Sequence, residues 1–487
     1  MIFLNNLLFC LFSIPLLGSF FLVVVSLKYS KQIGLSITCI TFLFSLLLLL
    51  FFDKSLGTFQ FGTSQIWFLG YTLIFSLGID GISLFFVLLT TLLVPICLLI
   101  SWNNITHFLK TYLVLFLILE AMLIGVFCIL DLLLFYIFFE SVLIPMFLII
   151  GVWGSRERKM RAAFLFFLYT LFGSVSMLIS ILYIYYQVGT TDYRVLLTFS
   201  FSFLEQKFLW FSFFLSFATK VPMVPVHLWL PEAHVEAPTS GSVILAGVLL
   251  KLGTYGFLRF SLPLFPEACF YFSPFVYCLA GVSVVYTSFT AIRQTDFKRI
   301  IAYTSIAHMN IVVLGIFSFN VIGIEGAILQ SLSHGFVASG LFMIIGVVYD
   351  RYHTRMVRYY GGLNHVMPIY VVIFLFFTMA NIGLPGTSSF IGEFLILTGS
   401  FQSNTCVTLI GSTSMIIGGC YSLWLFNRVS YGNLKTQYFI SFLDINKLEF
   451  LSFLPLIIGI CLMGFIPFIF LNYLHMSVNN LIELIYF

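Results

Sequence analysis

Charge is nearly missing from this sequence. Asp, Glu, Lys and Arg together make up 8% of 487 residues, against 61% hydrophobic, whereas soluble domains carry roughly 25% charged residues. A chain of this kind cannot cover a folded surface with hydrated groups, which excludes an ordinary water-soluble domain. The net charge is only +4 and is scattered, which argues against nucleic acid as a partner. Nine cysteines contain no Cys-x-x-Cys pair and no Cys/His cluster, so neither a disulfide framework nor a metal site is implied. No GxGxxG follows a strand and no Walker motif occurs. These absences predict that the chain binds no nicotinamide, flavin, nucleotide or iron–sulfur cluster of its own.

What remains is apolar length. Fourteen windows are long enough to span a bilayer at about 20 residues each. They run from 3–26 to 450–472 and include 132–153, 207–226, 241–262 and an interrupted stretch at 367–400. The first apolar run, over 2–27, is too long for a signal peptide and lacks a cleavage motif, so it reads as the first span. Only helices satisfy their own backbone over such lengths in lipid. The expected fold is therefore all-α and polytopic, with about 14 transmembrane helices. Sixteen of the 22 Lys and Arg residues, among them Lys298 and Arg355, fall in connections from odd to even spans; four, including Arg259, fall in the opposite set. Basic residues concentrate on the cytoplasmic or matrix side of membranes, which predicts both termini on the other side.

Against that background a few ionisable residues stand inside the spans, where each costs several kcal/mol and is by default functional. They are Glu140 in DLLLFYIFFESVLIPMF, Lys220 in FATKVPMVPVHLWLP, Lys251 in SVILAGVLLKLGTYGFLRF, His308, His334 and Glu393. Glu120 in the fourth span is a weaker seventh. A membrane Glu and Lys can equally form a structural ion pair that holds helices in register. Lys251 is hardest to read that way, because mid-span it cannot reach water along its own stem. As a set the groups point to protons. A low-dielectric interior favours the neutral forms of lysine and glutamate, and histidine titrates near neutrality unaided.

Two of the spans carry breaks beside a charge. Pro222 and Pro225 follow Lys220, and NIGLPGTSSFIGEF places Gly383, Pro385, Gly386 and Gly392 just before Glu393. Proline and clustered glycine interrupt the helical ladder, and freed backbone in a membrane persists only where it lines protein or water. Paired breaks in corresponding halves predict two inverted five-helix repeats with discontinuous helices 7 and 12. The division expected is 1–110 for the first three helices, 111–262 and 263–430 for the repeats, and 431–487 for a loop and helix 14. The connector HLWLPEAHVEAPTSGSV holds His227, Glu232, His234 and Glu236. Its H-x6-H spacing matches no standard metal site, and it reads as a structured, partly buried connector.

The segments LGIDGISLFFVLL, DLLLFYIFFESVLIPM, ATKVPMVPVHLWLPEAHVEAPTSGSVILAGVLLKLGTYG, IAYTSIAHMN, LSHG and LPGTSSFIGEF resemble the antiporter-like membrane subunits of respiratory complex I, NADH:ubiquinone oxidoreductase. The resemblance spans nearly the whole chain. It implies that Glu140 and Lys220 form a charged pair, that Lys251 is the central relay lysine, that His308 and His334 continue the polar axis, and that Glu393 is the far site. Glutamate at 393 resembles the chain 4 branch, where the sibling chains 2 and 5 typically have lysine. The resemblance further implies the mitochondrial inner membrane, neighbours of the chain 2 and chain 5 type, and partner subunits that hold NADH, FMN, iron–sulfur clusters and ubiquinone. A subunit of a multi-subunit sodium/proton antiporter is the alternative in the same family.

Overall fold

In a computed structural model of the chain, residues 6–66, 74–435 and 443–486 are described. The start of the first predicted span, 3–5, and part of the expected C-terminal unit, 436–442, lie outside them. The helices, in chain order, are α1 (Leu7–Val24), α2 (Leu27–Phe51), α3 (Gly81–Ile100), α4 (Leu109–Cys128), α5 (Leu132–Trp153) and α6 (Lys159–Val188). There follow α7 (Phe203–Lys220), α8 (Trp229–Glu236), α9 (Thr239–Leu264), α10 (Pro266–Arg293), α11 (Phe297–Ile316) and α12 (Val321–Tyr352). The series ends with α13 (Pro368–Ile382), α14 (Ser388–Ser403), α15 (Thr405–Ser430), α16 (Lys447–Phe465) and α17 (Pro467–Tyr486).

Among the described residues, twelve helices are long and apolar enough to cross a membrane. The two predicted windows not among the twelve are the interrupted ones. Window 207–226 becomes α7, which stops at Lys220, and α8, which resumes at Trp229. Window 367–400 becomes α13 and α14, separated by a turn over 383–387. Both breaks fall at the prolines and glycines that predicted them. Gly383 caps α13 at φ +83°, a conformation that costs a side chain-bearing residue about 1–2 kcal/mol.

Helix α9 sits at the centre, with its spanning window wholly buried, and α12 is nearly as enclosed. Helices α1, α2, α6, α10, α15 and α16, at the periphery, have less than half of theirs buried. Small residues let the inner helices approach closely. A Cβ on Gly253 of α9 would lie 2.9 Å from the Phe217 carbonyl oxygen of α7. The central helix is also irregular: five-residue π-helical turns at Leu245–Leu249 and Phe257–Ser261 bracket Lys251. Such turns concentrate at functional sites.

Two elements escaped the sequence windows. An antiparallel hairpin, β1 (Gln60–Ile66) and β2 (Ile74–Ile79), pairs Gln60 with Ile79 and Thr63 with Leu77, with a bulge between. It leads into Asp80, which caps α3 by accepting from the Ser83 backbone N–H at 3.0 Å. In the last predicted window, 450–472, the helix stops at Phe465 and Pro467 begins α17, as proline suits a first helical turn. That helix buries Leu474, Ser477, Val478, Leu481 and Ile485, a stripe at helical spacing.

Three basic residues assigned to loops are buried; two of them, Lys298 and Arg259, lie in helices, whereas Arg355 keeps its place in the connection after α12. Lys298, Arg355 and Arg259 are 2%, 1% and 6% exposed. Lys298 lies in the first turn of α11, Arg259 in the second π turn of α9. Window scoring registers local composition, and tertiary packing buries what it counts as a loop end. Arg259 donates to Asp80 at 2.6 Å. Burial works to raise the Asp80 carboxyl, but the Arg259 guanidinium and the Ser83 hydrogen bonds bring it below the usual carboxylate range.

Candidate functional site

The far half of the predicted axis is assembled by α9, α12, α11 and α14. Lys251 is wholly buried. Its Nζ donates to the Ala246 carbonyl, in the preceding π turn, at 2.6 Å and lies 2.9 Å from His334 Nδ1. The His334 and His308 rings stand 6.0 Å apart, centroid to centroid. His308 Nδ1 is 2.9 Å from Glu393 Oε1. Even at that distance neither His308 ring nitrogen forms a hydrogen bond. The same Glu393 oxygen accepts from Gln330 Nε2 at 2.9 Å. Four of the six predicted residues thus form one buried run across four helices, in the order Lys251, His334, His308, Glu393.

Gln330 was missed at the sequence level, although its position four residues before His334 puts both on one face of α12. Two glycines admit this packing. A Cβ on Gly392 would lie 2.6 Å from Gln330 Oε1, and one on Gly383 would lie 3.1 Å from Glu393 Oε2.

The near half is looser. Lys220, the last residue of α7, is buried, and its cation is favoured at a helix C-terminus by the backbone dipole. Its Nζ is 3.5 Å from the Phe139 carbonyl oxygen and 4.4 Å above the Phe139 ring, a cation–π placement. Glu140, the next residue on α5, interacts electrostatically with Lys220. The two side chains are not joined in a contact ion pair, and Glu140 Oε1 is buried without a hydrogen-bond partner. The structure brings the two residues to neighbouring helices and leaves them apart.

Glu120 stands off this axis. It is fully buried on α4, where Thr41 of α2 donates to it at 2.6 Å. The connector histidines separate: His227 lies against Tyr286, with ring centroids 5.8 Å apart, whereas His234 stacks flat on Phe342 at 4.5 Å. Among the described residues, no group of three or more His, Cys, Asp or Glu is placed to hold a metal ion. Glu325 and His475, also unforeseen, pair at 2.8 Å between α12 and α17.

Comparison with known proteins places the chain. The family described as "NADH:quinone oxidoreductase/Mrp antiporter, TM" matches residues 129–418. The chain is 58% identical over 474 residues to NADH-ubiquinone oxidoreductase chain 4 of Chondrus crispus, covering 97% of this chain and 96% of that one. Among solved structures, a chain of respiratory complex I from Thermus thermophilus superposes with a TM-score of 0.90 at 28% identity, over 98% of this chain and 99% of that one. A chain of the Mrp complex from Dietzia sp. DQ12-45-1b shares the fold alone, with a TM-score of 0.88 at 17% identity over the full length of both. With more than half its length matched by the family model and nearly all of it aligned to a close relative, this multi-pass membrane chain belongs to the NADH:quinone oxidoreductase/Mrp antiporter family of transmembrane subunits.

Proposed function

We propose that the chain is a proton-translocating core membrane subunit of respiratory complex I in the mitochondrial inner membrane. The observation that carries this reading is the buried run Lys251–His334–His308–Glu393, in which protonatable groups succeed one another across four helices. Each can hold or release a proton, and a purely structural core would place no such series in its driest region. At the near end, the Glu140 carboxylate favours the ammonium form of Lys220. Moving that carboxylate away removes the attraction, and Lys220 yields its proton toward the centre. The loose placement of the pair supports such a switch, because no contact has to be broken.

In this reading the chain holds no redox site. NADH oxidation through FMN and iron–sulfur clusters and ubiquinone reduction belong to partner subunits, and neighbours of the chain 2 and chain 5 type flank this one. Segments 111–262 and 263–430 act as the two inverted repeats. The buried Lys298, Arg355 and Arg259 no longer bear on orientation, yet the remaining loop-side Lys and Arg still divide fourteen against three. That supports a matrix location for the basic face and, with it, termini on the intermembrane-space side.

The test is native separation after mild-detergent extraction, followed by an in-gel NADH oxidation assay and a proton-transport assay with and without sodium. Co-migration with a large NADH-oxidising assembly and sodium-independent transport are expected. A smaller complex lacking that activity, with sodium-dependent transport, would assign the chain to the antiporter branch instead.

A further inference from the structure

Helix α8, the second half of the broken segment, carries buried polar groups that the relay above does not use. At one end lies a pocket of about 530 Å³ lined by Arg156, Glu157, Arg158, Glu232, Val235, Glu236 and Arg299. Arg156, Glu157 and Arg158 are exposed, whereas Glu236 is 2% exposed and its Oε2 has no hydrogen-bond partner. One step inward is Lys298, whose Nζ donates to the Ala237 carbonyl at 2.7 Å and lies 3.4 Å from Ser242 Oγ. Ser242 in turn donates to the His234 carbonyl at 3.2 Å. His234 is wholly buried, and both of its ring nitrogens lack hydrogen-bond partners.

An imidazole in that state is hard to explain as packing. A buried donor or acceptor without a partner costs about 1–3 kcal/mol, and a phenyl ring would stack on Phe342 equally well without that cost. The stack fixes the plane of the ring. Phe342 is eight residues beyond His334 on α12, about 12 Å along the axis, and the buried Ser339 lies between them. Gly247 of α9 faces this stretch, where a Cβ would sit 3.0 Å from Ser339 Oγ. Electrostatically, His234 is coupled to Lys298 on one side and to Lys251 and His334 on the other. Glu236, which lines the pocket, and also Asp350 and Arg355, interact electrostatically with Lys298.

We infer that His234 is a further proton-carrying residue, joining the charged pocket through Glu236 and Lys298 to the Lys251–His334 pair. A proton passes from Glu236 to Lys298 to the His234 ring and on to His334 or Lys251, each group taking one proton and giving one up. In a low-dielectric interior, neighbouring groups of like charge repel strongly. A proton arriving at Lys298 therefore expels one from His234 inward, and the branch passes protons singly. The inference rests on the proton-transport reading above and adds to it a route from the basic face to the centre.

The experiment uses the intact assembly reconstituted in vesicles, with His234→Phe, His234→Ala and Lys251→Ala measured side by side for protons pumped per NADH oxidised. His234→Phe keeps the stack and is expected to lose most of that ratio, because a positioned proton-transfer group contributes about a hundredfold or more to its step. Added imidazole is expected to restore His234→Ala, and pyrrole, a similar ring without a basic nitrogen, is not. Normal pumping in His234→Phe with a defect in Lys251→Ala would overturn this branch and leave the relay standing. Normal pumping in both would instead overturn the relay reading. Should His234→Phe fail to assemble, the imidazole-against-pyrrole comparison decides, and equal rescue by both or by neither overturns the inference.

Discussion

The two broken segments solve the same problem with opposite chemistry. In the first, a lysine ends the leading half-helix, at the negative end of its dipole. In the second, a glutamate sits in the second turn of the trailing half-helix, near the positive end. Lys220 is held against a carbonyl and an aromatic ring, with its acidic neighbour Glu140 nearby but not touching. Glu393 is held by direct contacts to His308 and Gln330. The difference separates a place where charge can be moved at little structural cost from one where it is fixed within a packed network. On the proton-transport reading proposed above, conformational switching belongs at the near end and reliable proton holding at the far end.

The comparison can be broken or sharpened by substitution. Glu393→Gln keeps the shape and the hydrogen-bonding capacity but removes the protonatable group. Pumping by an assembled variant is expected to be largely lost, since a positioned proton-transfer group contributes about a hundredfold or more, read as protons per electron in vesicles. Glu140→Gln is expected to give a smaller loss, about three- to fivefold, without impaired assembly, because no contact ion pair is lost. Equal effects at the two sites would erase the distinction drawn here. Gln330→Leu removes the Gln330 hydrogen bond to Glu393 and should destabilise the chain by about 1–3 kcal/mol, seen as earlier loss of this subunit on heating the solubilised assembly. Gly383→Ala should cost the least, about 1–2 kcal/mol from the left-handed backbone. It should also lower pumping slightly, since its Cβ would press on Glu393 Oε2. A neutral Gly383→Ala would show that this turn does not fix the carboxylate.

Much of this was legible from the sequence because the membrane makes anomalies conspicuous. A lysine within an apolar run, as at 251, and prolines beside Lys220 or before Glu393 stand out against helices that otherwise need neither. What stayed hidden depends on packing between distant segments. Lys298 and Arg355 read as loop charges because their local windows end there, yet other helices bury them. Gln330 carries no charge and so drew no notice, although it is the hydrogen-bond partner of Glu393. The π turns around Lys251 have no compositional mark in LAGVL or FLRFS. The paired strands at 60–66 and 74–79 fall mostly between spans, where apolar windows are silent.

The central claim is that Lys251 relays protons between the two halves. Its most direct test is the ratio of protons pumped to electrons transferred in reconstituted, fully assembled Lys251→Ala. The account predicts an assembly of normal size whose coupled pumping is largely abolished. A normal ratio in that variant would contradict it and reduce the buried run to a structural network.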